Sequence, residues 1–211
     1  MRFHKSNGFT IIELLIGLSI VVLLATITIF QLGSSRETGE LRTAARQLTA
    51  DIRAMQARAL SAKNIKICDT GTNLAVCESS QVACGVNPCT DGIPAAYGLH
   101  LETSTSTYVL FADINPEASI DYHYTDAGEA YQIRSLMPLF GKDVVIDQIM
   151  SSTTSVTFAD IAFMRQNGTA RIYDITTPPE SALLRIRIRH LKSNDTIEIE
   201  INRITGRIST L

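Results

Sequence analysis

From Phe9 to Leu32 the chain is apolar almost without interruption: 17 of these 24 residues are hydrophobic and one, Glu13, is charged. As a helix, at ~1.5 Å per residue, this run reaches ~36 Å, enough to cross a ~30 Å hydrocarbon layer. The period then changes. Leu41, Ala45, Leu48, Ile52, Met55 and Ala59 recur at steps of 4, 3, 4, 3 and 4, which is one stripe of an amphipathic helix. Arg42, Arg46, Arg53 and Arg58 fall off the stripe and read as a solvated face. No proline occurs between Phe9 and Ala62. The pattern therefore predicts one helix over 9–62, ~81 Å long, whose weak points are Gly33 and Gly39.

From Asn64 onward the pattern is that of strands and turns. Ile65–Cys68, Tyr97–Leu101, Tyr108–Ile114, Val144–Ile149 and Val156–Phe163 read as strands. Asp69–Ala95 and Asn115–Gly128 are polar and irregular, and Pro178-Pro179 marks a break. Asn167-Gly168, between Ile161–Met164 and Arg171–Tyr173, is a hairpin signal. Leu184, Ile186 and Ile188 alternate with Arg185, Arg187 and Arg189, and Ile197, Ile199 and Ile201 alternate with Glu198 and Glu200. A turn at Lys192–Asp195 would set Arg189 opposite Glu198, Arg187 opposite Glu200 and Ile188 opposite Ile199. A last turn at Thr205-Gly206 would return Arg207–Leu211 as the final strand. The expected architecture is α+β: a long N-terminal helix, membrane-spanning in its first half, packed on an antiparallel β-sheet domain. The expected divisions are 1–8, 9–32, 33–62 and 63–211.

Composition adds a constraint on compartment. Net charge is -2, so no global bias draws the chain to nucleic acid or acidic lipid. The four cysteines, Cys68, Cys77, Cys84 and Cys89, lie within 22 residues and lack the C-x2-C spacing of structural zinc sites. Clustered beyond an apolar segment, they read as disulfides on an oxidising side of a membrane. Three connectivities are open, and sequence proximity alone leans to Cys68–Cys77 with Cys84–Cys89.

The first eight residues, MRFHKSNG, carry Arg2 and Lys5. A secretory signal is cut after its apolar stretch at small residues, and the nearest such site here, Gln31–Ser35, is poor. A plain signal anchor would keep Arg2 and Lys5 in the cytoplasm and the rest of the chain outside. It leaves Glu13 unexplained, because a carboxylate inside an apolar helix costs about 2.5–3.5 kcal/mol near the bilayer centre and calls for a partner.

Gly8-Phe9-Thr10-Ile11-Ile12-Glu13-Leu14-Leu15-Ile16 resembles the type IV prepilin processing motif. The resemblance implies that a prepilin peptidase cuts after Gly8 and methylates the new amino group on Phe9. It also implies that Glu13 pairs with a neighbouring subunit's amine and sets register, and that the domain takes the pilin fold. The partners it implies are other pilin or pseudopilin subunits, an inner-membrane assembly platform and membrane lipid. The implied location is the inner (cytoplasmic) membrane, single-pass with the C-terminal domain outside, and then a pilus or pseudopilus. The proline that many pilins carry in this helix is absent. LTADIRAMQARALSAKNIKIC at 48–68, YVLFADIN at 108–115, FMRQNG at 163–168 and TGRI at 205–208 resemble GspH/FimT-type minor pilins and pseudopilins more loosely.

Chemistry is poorly supported. His4, His100, His123 and His190 are far apart, with no H-E-x-x-H, phosphate loop or nucleophile motif, so no enzyme, metal or cofactor is expected. Asp113, Asn115, Glu117 and Asp121 resemble the start of a calcium loop but lack its sixth-position glycine and have Tyr124 at the twelfth position, so an acidic turn is the better reading. The alternative function is a tip subunit binding DNA or a surface ligand, with Arg185, Arg187, Arg203 and Arg207 as phosphate contacts. Some FimT-type pilins implicated in DNA uptake end in G-R-x-R; here Gly206-Arg207-Ile208-Ser209 has serine in the last place. Nucleic acid is the less favoured partner, because Glu198 and Glu200 offset two of the arginines.

Overall fold

A computed structural model of the chain describes residues 10–70, 74–77, 88–114, 123–124, 128–137, 143–165, 167–173 and 182–211, without the side chains of 28–35. Its first element is one helix, α1, Ile11–Leu60, of 50 residues. It runs ~75 Å without a break, as the absence of proline allows. All six stripe residues are buried, with exposures of 0–2%. Arg42, Arg46 and Arg53 are exposed. The helix stops where Ser61 caps it and Ala62 turns to φ +45°.

Thirteen strands follow among the described residues: β1 Ile65–Asp69, β2 Leu74–Val76, β3 Thr90–Gly92, β4 Ala96–Glu102, β5 Thr107–Asp113, β6 Ala130–Ser135, β7 Val144–Ser151, β8 Thr154–Val156, β9 Phe158–Met164, β10 Ala170–Tyr173, β11 Leu183–His190, β12 Thr196–Asn202 and β13 Ile208–Thr210. They form a small sheet, β2-β1-β3, and two five-stranded sheets, β10-β9-β4-β5-β6 and β13-β12-β11-β7-β8. All pairings are antiparallel. The stripe of α1 lies against β4 and β9 of one large sheet and β11, β12 and β7 of the other. Leu48, Ile52, Leu99, Ile161, Ile186 and Ile199 share one continuous core. Two polar anchors join the sheet to the helix and to the segment that follows it. The Tyr108 hydroxyl donates to Asp51 Oδ2 at 2.5 Å, and the Tyr97 hydroxyl donates to the Lys63 carbonyl at 2.5 Å. Burial first, then the hydrogen bond and charge of Asp51, push the Tyr108 pKa up, so its hydroxyl remains a donor.

Four features differ from the sequence reading. Val156–Phe163 is two strands in two sheets, because Val156 pairs with Ile149 while Phe158 pairs with Glu102. The crossing falls at Thr157, whose carbonyl accepts from the Thr103 N–H at 2.9 Å and its hydroxyl at 3.2 Å. The cysteine-rich loop contains β2 and β3, which flank β1, and β6 has no counterpart in the sequence reading. The β11–β12 hairpin is shifted by two residues, pairing Arg187 with Glu198, Arg185 with Glu200 and Ile188 with Ile197. Its loop is 191–194, closed by His190 N–H to the Asp195 carbonyl, with Asn194 at φ +60°. Asparagine tolerates that left-handed conformation, and an even shift keeps every isoleucine on the core face.

The fourth is the disulfide. Cys77 bonds Cys89, with Cα atoms 6.4 Å apart, in place of the proximity pairing Cys68–Cys77 and Cys84–Cys89. The register explains it: Cys68 faces Ala75 across β1–β2, while Cys77 and Cys89 leave and enter the two strands flanking β1. Cys68 is also disulfide-bonded, and Cys84 lies outside the described residues. The hairpin at Asn167-Gly168 matches expectation. Gly168 sits at φ +63°, and Ala170 pairs with Phe163. Gly206, at φ +64°, likewise turns β12 into β13.

Candidate functional site

The N-terminal arm of α1 is set by its first turn. Thr10 is the N-cap: Glu13 N–H donates to Thr10 Oγ1 at 3.3 Å, and Thr10 N–H and hydroxyl donate to Glu13 Oε2 at 3.1 and 3.0 Å. This reciprocal capping box satisfies helix-end donors and places a carboxylate at the positive end of the helix dipole. Glu13 thus has a local role that the sequence reading missed. The pattern Thr10-x-x-Glu13 was the signal that carried it.

Beyond this cap the arm is apolar all round and bare. Its large side chains from Ile11 to Ile27 are 48–84% exposed. Its hydroxyls turn inward, Ser19 Oγ donating to the Ile16 carbonyl and Thr26 Oγ1 to the Val22 carbonyl, both at 2.8 Å. A helix that satisfies its polar atoms internally and shows only hydrocarbon suits an apolar environment. The expected span Phe9–Leu32 extends past the described side chains at both ends. Among the described residues no helix is long and apolar enough to cross a membrane.

Where the arm meets the domain, charged groups from three elements converge. Arg36 Nε lies 2.8 Å from Glu40 Oε1, His190 Nε2 lies 3.4 Å from Glu40 Oε2, and Lys192 Nζ lies 2.8 Å from Asp143 Oδ2. The Arg36 hydrogen bond, against an opposing effect of burial, holds the Glu40 pKa below its usual value. The hydrogen bond from Lys192 lowers Asp143, and the same bond raises Lys192. Sequence reading missed this cluster because positions 40, 143 and 190 share no local spacing.

A second group sits on the opposite face of the β4–β9 sheet. His100 Nδ1 lies 2.6 Å from Asp160 Oδ1, and His123 Nδ1 lies 3.5 Å from Asp160 Oδ2. Tyr124 stacks near both His100, at 4.9 Å, and Phe111, at 5.9 Å. Burial pushes the His100 imidazole down. The hydrogen bond and charge of Asp160, with Glu102 behind them, outweigh it and raise the pKa.

Of the residues singled out as DNA contacts, Arg185 and Arg187 face carboxylates. Arg185 Nε lies 3.1 Å from Glu200 Oε2, and Arg187 Nη2 lies 2.6 Å from Glu198 Oε1. Arg203 lies half-buried in the β12–β13 turn, and Arg207 is exposed beside it. Asp113 is buried at the end of β5. Gly8, Phe9, Asn115, Glu117, Asp121, Pro178 and Pro179 lie outside the described residues.

Residues 3–29 match the family model of the prokaryotic N-terminal methylation motif. The match supports a type IV pilin-like protein, processed by prepilin peptidase and assembled with other pilins. That class of protein is structural, and the motif suggests membrane anchoring. The matched segment covers the cap, Glu13 and the bare arm. No curated protein and no solved structure matches the chain.

Proposed function

We propose that the chain is a minor pilin or pseudopilin, cut after Gly8 and methylated on Phe9, that joins or primes a type IV pilus or a type II secretion pseudopilus. The arm, as Phe9–Leu32, crosses the inner membrane before assembly, with the β domain outside the cytoplasm. It then packs in a bundle of like helices. Glu13 meets the N-terminal amine of a neighbouring subunit there and fixes axial register. The single observation that carries this reading is the arm itself, a helix bare on every side from Ile11 to Ile27 and joined to a domain whose own core is complete. The assembly platform and the subunits beside it are the partners.

Intact mass of the protein from cells with an active prepilin peptidase tests the reading. Loss of residues 1–8 with gain of one methyl group is the expected result. Retention of Met1–Gly8 overturns it.

A further inference from the structure

The charged cluster at the foot of the arm has the makings of a metal site. Donor atoms of Glu40, Asp143 and His190 all lie within 4.8 Å of one another. They come from α1, from the segment entering β7 and from the end of β11, and they face a cavity of ≈ 280 Å³. His190 is 1% exposed, so its ring is fixed by packing. Its Nδ1 meets Ser193 N–H and Oγ, both at 3.4 Å, which leaves Nε2 turned toward the carboxylates. The Nε2–Glu40 distance of 3.4 Å is long for a hydrogen bond. An imidazole nitrogen facing a carboxylate oxygen requires a proton or a metal ion between them. The counter-charges now present, Arg36 and Lys192, reach in from the rim on flexible stems and are 71% and 65% exposed.

We propose that Glu40, Asp143 and His190 bind one first-row divalent cation of the zinc class, which displaces Lys192 and Arg36 from the two carboxylates. One imidazole nitrogen and two carboxylate oxygens suit Zn²⁺, whereas Mg²⁺ and Ca²⁺ prefer all-oxygen sets. Ligands at ~2.0–2.2 Å from zinc stand ~3.3–3.6 Å apart, so the cluster contracts by about 1 Å on loading. The partly exposed carboxylates supply that movement, and His190 stays in place. Without an ion, Nδ1 accepts from the Ser193 N–H; on loading, Nδ1 must carry the proton, and Ser193 Oγ, 3.4 Å away, is placed to accept it. The bound ion ties α1, one residue before its first buried position at Leu41, to the ends of β7 and β11. It thereby fixes the direction in which the arm leaves the domain.

Zinc titration of the oxidised full chain in detergent micelles, by calorimetry, tests this. The parent is expected to bind one saturable equivalent of zinc that Asp143→Asn weakens at least ~10-fold and His190→Gln removes. Lys192→Met should tighten binding several-fold, because it deletes the competing cation. A purely ion-pairing role for the cluster does not give that gain. Imidazoles elsewhere contribute equally in all variants and cancel. Should His190→Gln fail to fold, Asp143→Asn and Lys192→Met, both at partly exposed positions, still decide. Equal zinc affinity in the parent and Asp143→Asn, or no saturable zinc in the parent and Lys192→Met, overturns the site.

Discussion

The capping role of Glu13 and its proposed inter-subunit role are separable, and three substitutions distinguish them. In the isolated chain it closes a capping box with Thr10 through Oε2. In the proposed filament it also supplies a charge to a neighbouring subunit. Glu13→Gln keeps a side chain that serves a capping box but removes the charge. Thr10→Ala removes the cap and keeps the charge. Glu13→Ala removes both. Loss of a cap costs about 0.5–2 kcal/mol, or ~2–30-fold in an equilibrium. Leaving a desolvated charge without its partner costs about 3–5 kcal/mol, or ~150–4,000-fold. The assay is competitive incorporation. Each variant is co-expressed with the parent chain, sheared filaments are collected, and the two forms are counted by mass after confirming that both are processed. Thr10→Ala should be a minor component, and Glu13→Gln and Glu13→Ala should both be nearly absent. If Glu13→Gln enters filaments as well as the parent does, the inter-subunit charge is wrong and Glu13 is only a cap.

The β domain offers four more tests. Leu48→Ala opens a cavity between helix and sheets and should lower unfolding free energy by about 2–5 kcal/mol in urea, while Arg46→Ala on the exposed face stays within about 0.5 kcal/mol. Gly168→Ala places a Cβ 2.6 Å from Leu60 Cδ2 at φ +63°, so it should cost at least ~1 kcal/mol, part of it recovered by Leu60→Ala. The His100 pKa is raised on folding. Its contribution to stability is therefore full below the unfolded value of about 6.5 and is lost as pH rises through the folded value, a slope that His100→Gln should flatten in urea midpoints taken from pH 5.5 to 8.5. Cys77→Ser should leave Cys89 as the thiol that alkylates, whereas the proximity pairing predicts Cys68.

The parts of the fold legible in the sequence are those where a local period reports burial directly. All six residues of the stripe from Leu41 to Ala59 lie on the buried face, which also takes in Ala44, Thr49 and Asp51, because a helix packed on a core has one buried direction. The alternation in Leu184–Leu191 and 197–201 placed each side chain on the correct face. It could not fix the register, because a shift of two leaves every face unchanged. The observed register closes through Asn194 at φ +60°, which the alternation does not report. The break at Thr157 was hidden because Val156 and Phe158 are equally good strand residues for different sheets. The cysteine pairing depended on which strands flank β1, a long-range fact. The same limit hid both charged clusters: Asp160 meets His100 and His123, and Glu40 meets His190, only through sheet topology.

The two halves of α1 differ in what completes them, and the magnitudes decide which state the chain can rest in. The second half is finished within the monomer, since its stripe is at 0–2% exposure. The first half leaves Ile11, Ile12, Leu14, Leu15, Ile16, Leu18, Ile20, Val21, Val22, Leu23, Leu24 and Ile27 between 48% and 84% exposed. Fully burying such a side chain yields about 1.5–3 kcal/mol, so covering what remains exposed gives about 1 kcal/mol or more each, on the order of 10–20 kcal/mol in sum. Association costs an estimated ~4–15 kcal/mol in lost freedom. Hydrocarbon cover for the arm, from lipid or from neighbouring helices, therefore offsets most or all of that cost before any specific contact is counted. The apolar surface sets how strongly the arm is drawn out of water but carries no register, because a helix bare on all sides can slide and rotate at little cost. Register must come from a polar group at a fixed place. Glu13 is the one charged side chain between Thr10 and Ile27, held at the helix start by Thr10. In the proposed assembly hydrophobic burial sets affinity and a single carboxylate sets alignment, so the charge-removing variants should lose placement in a filament while keeping membrane attachment.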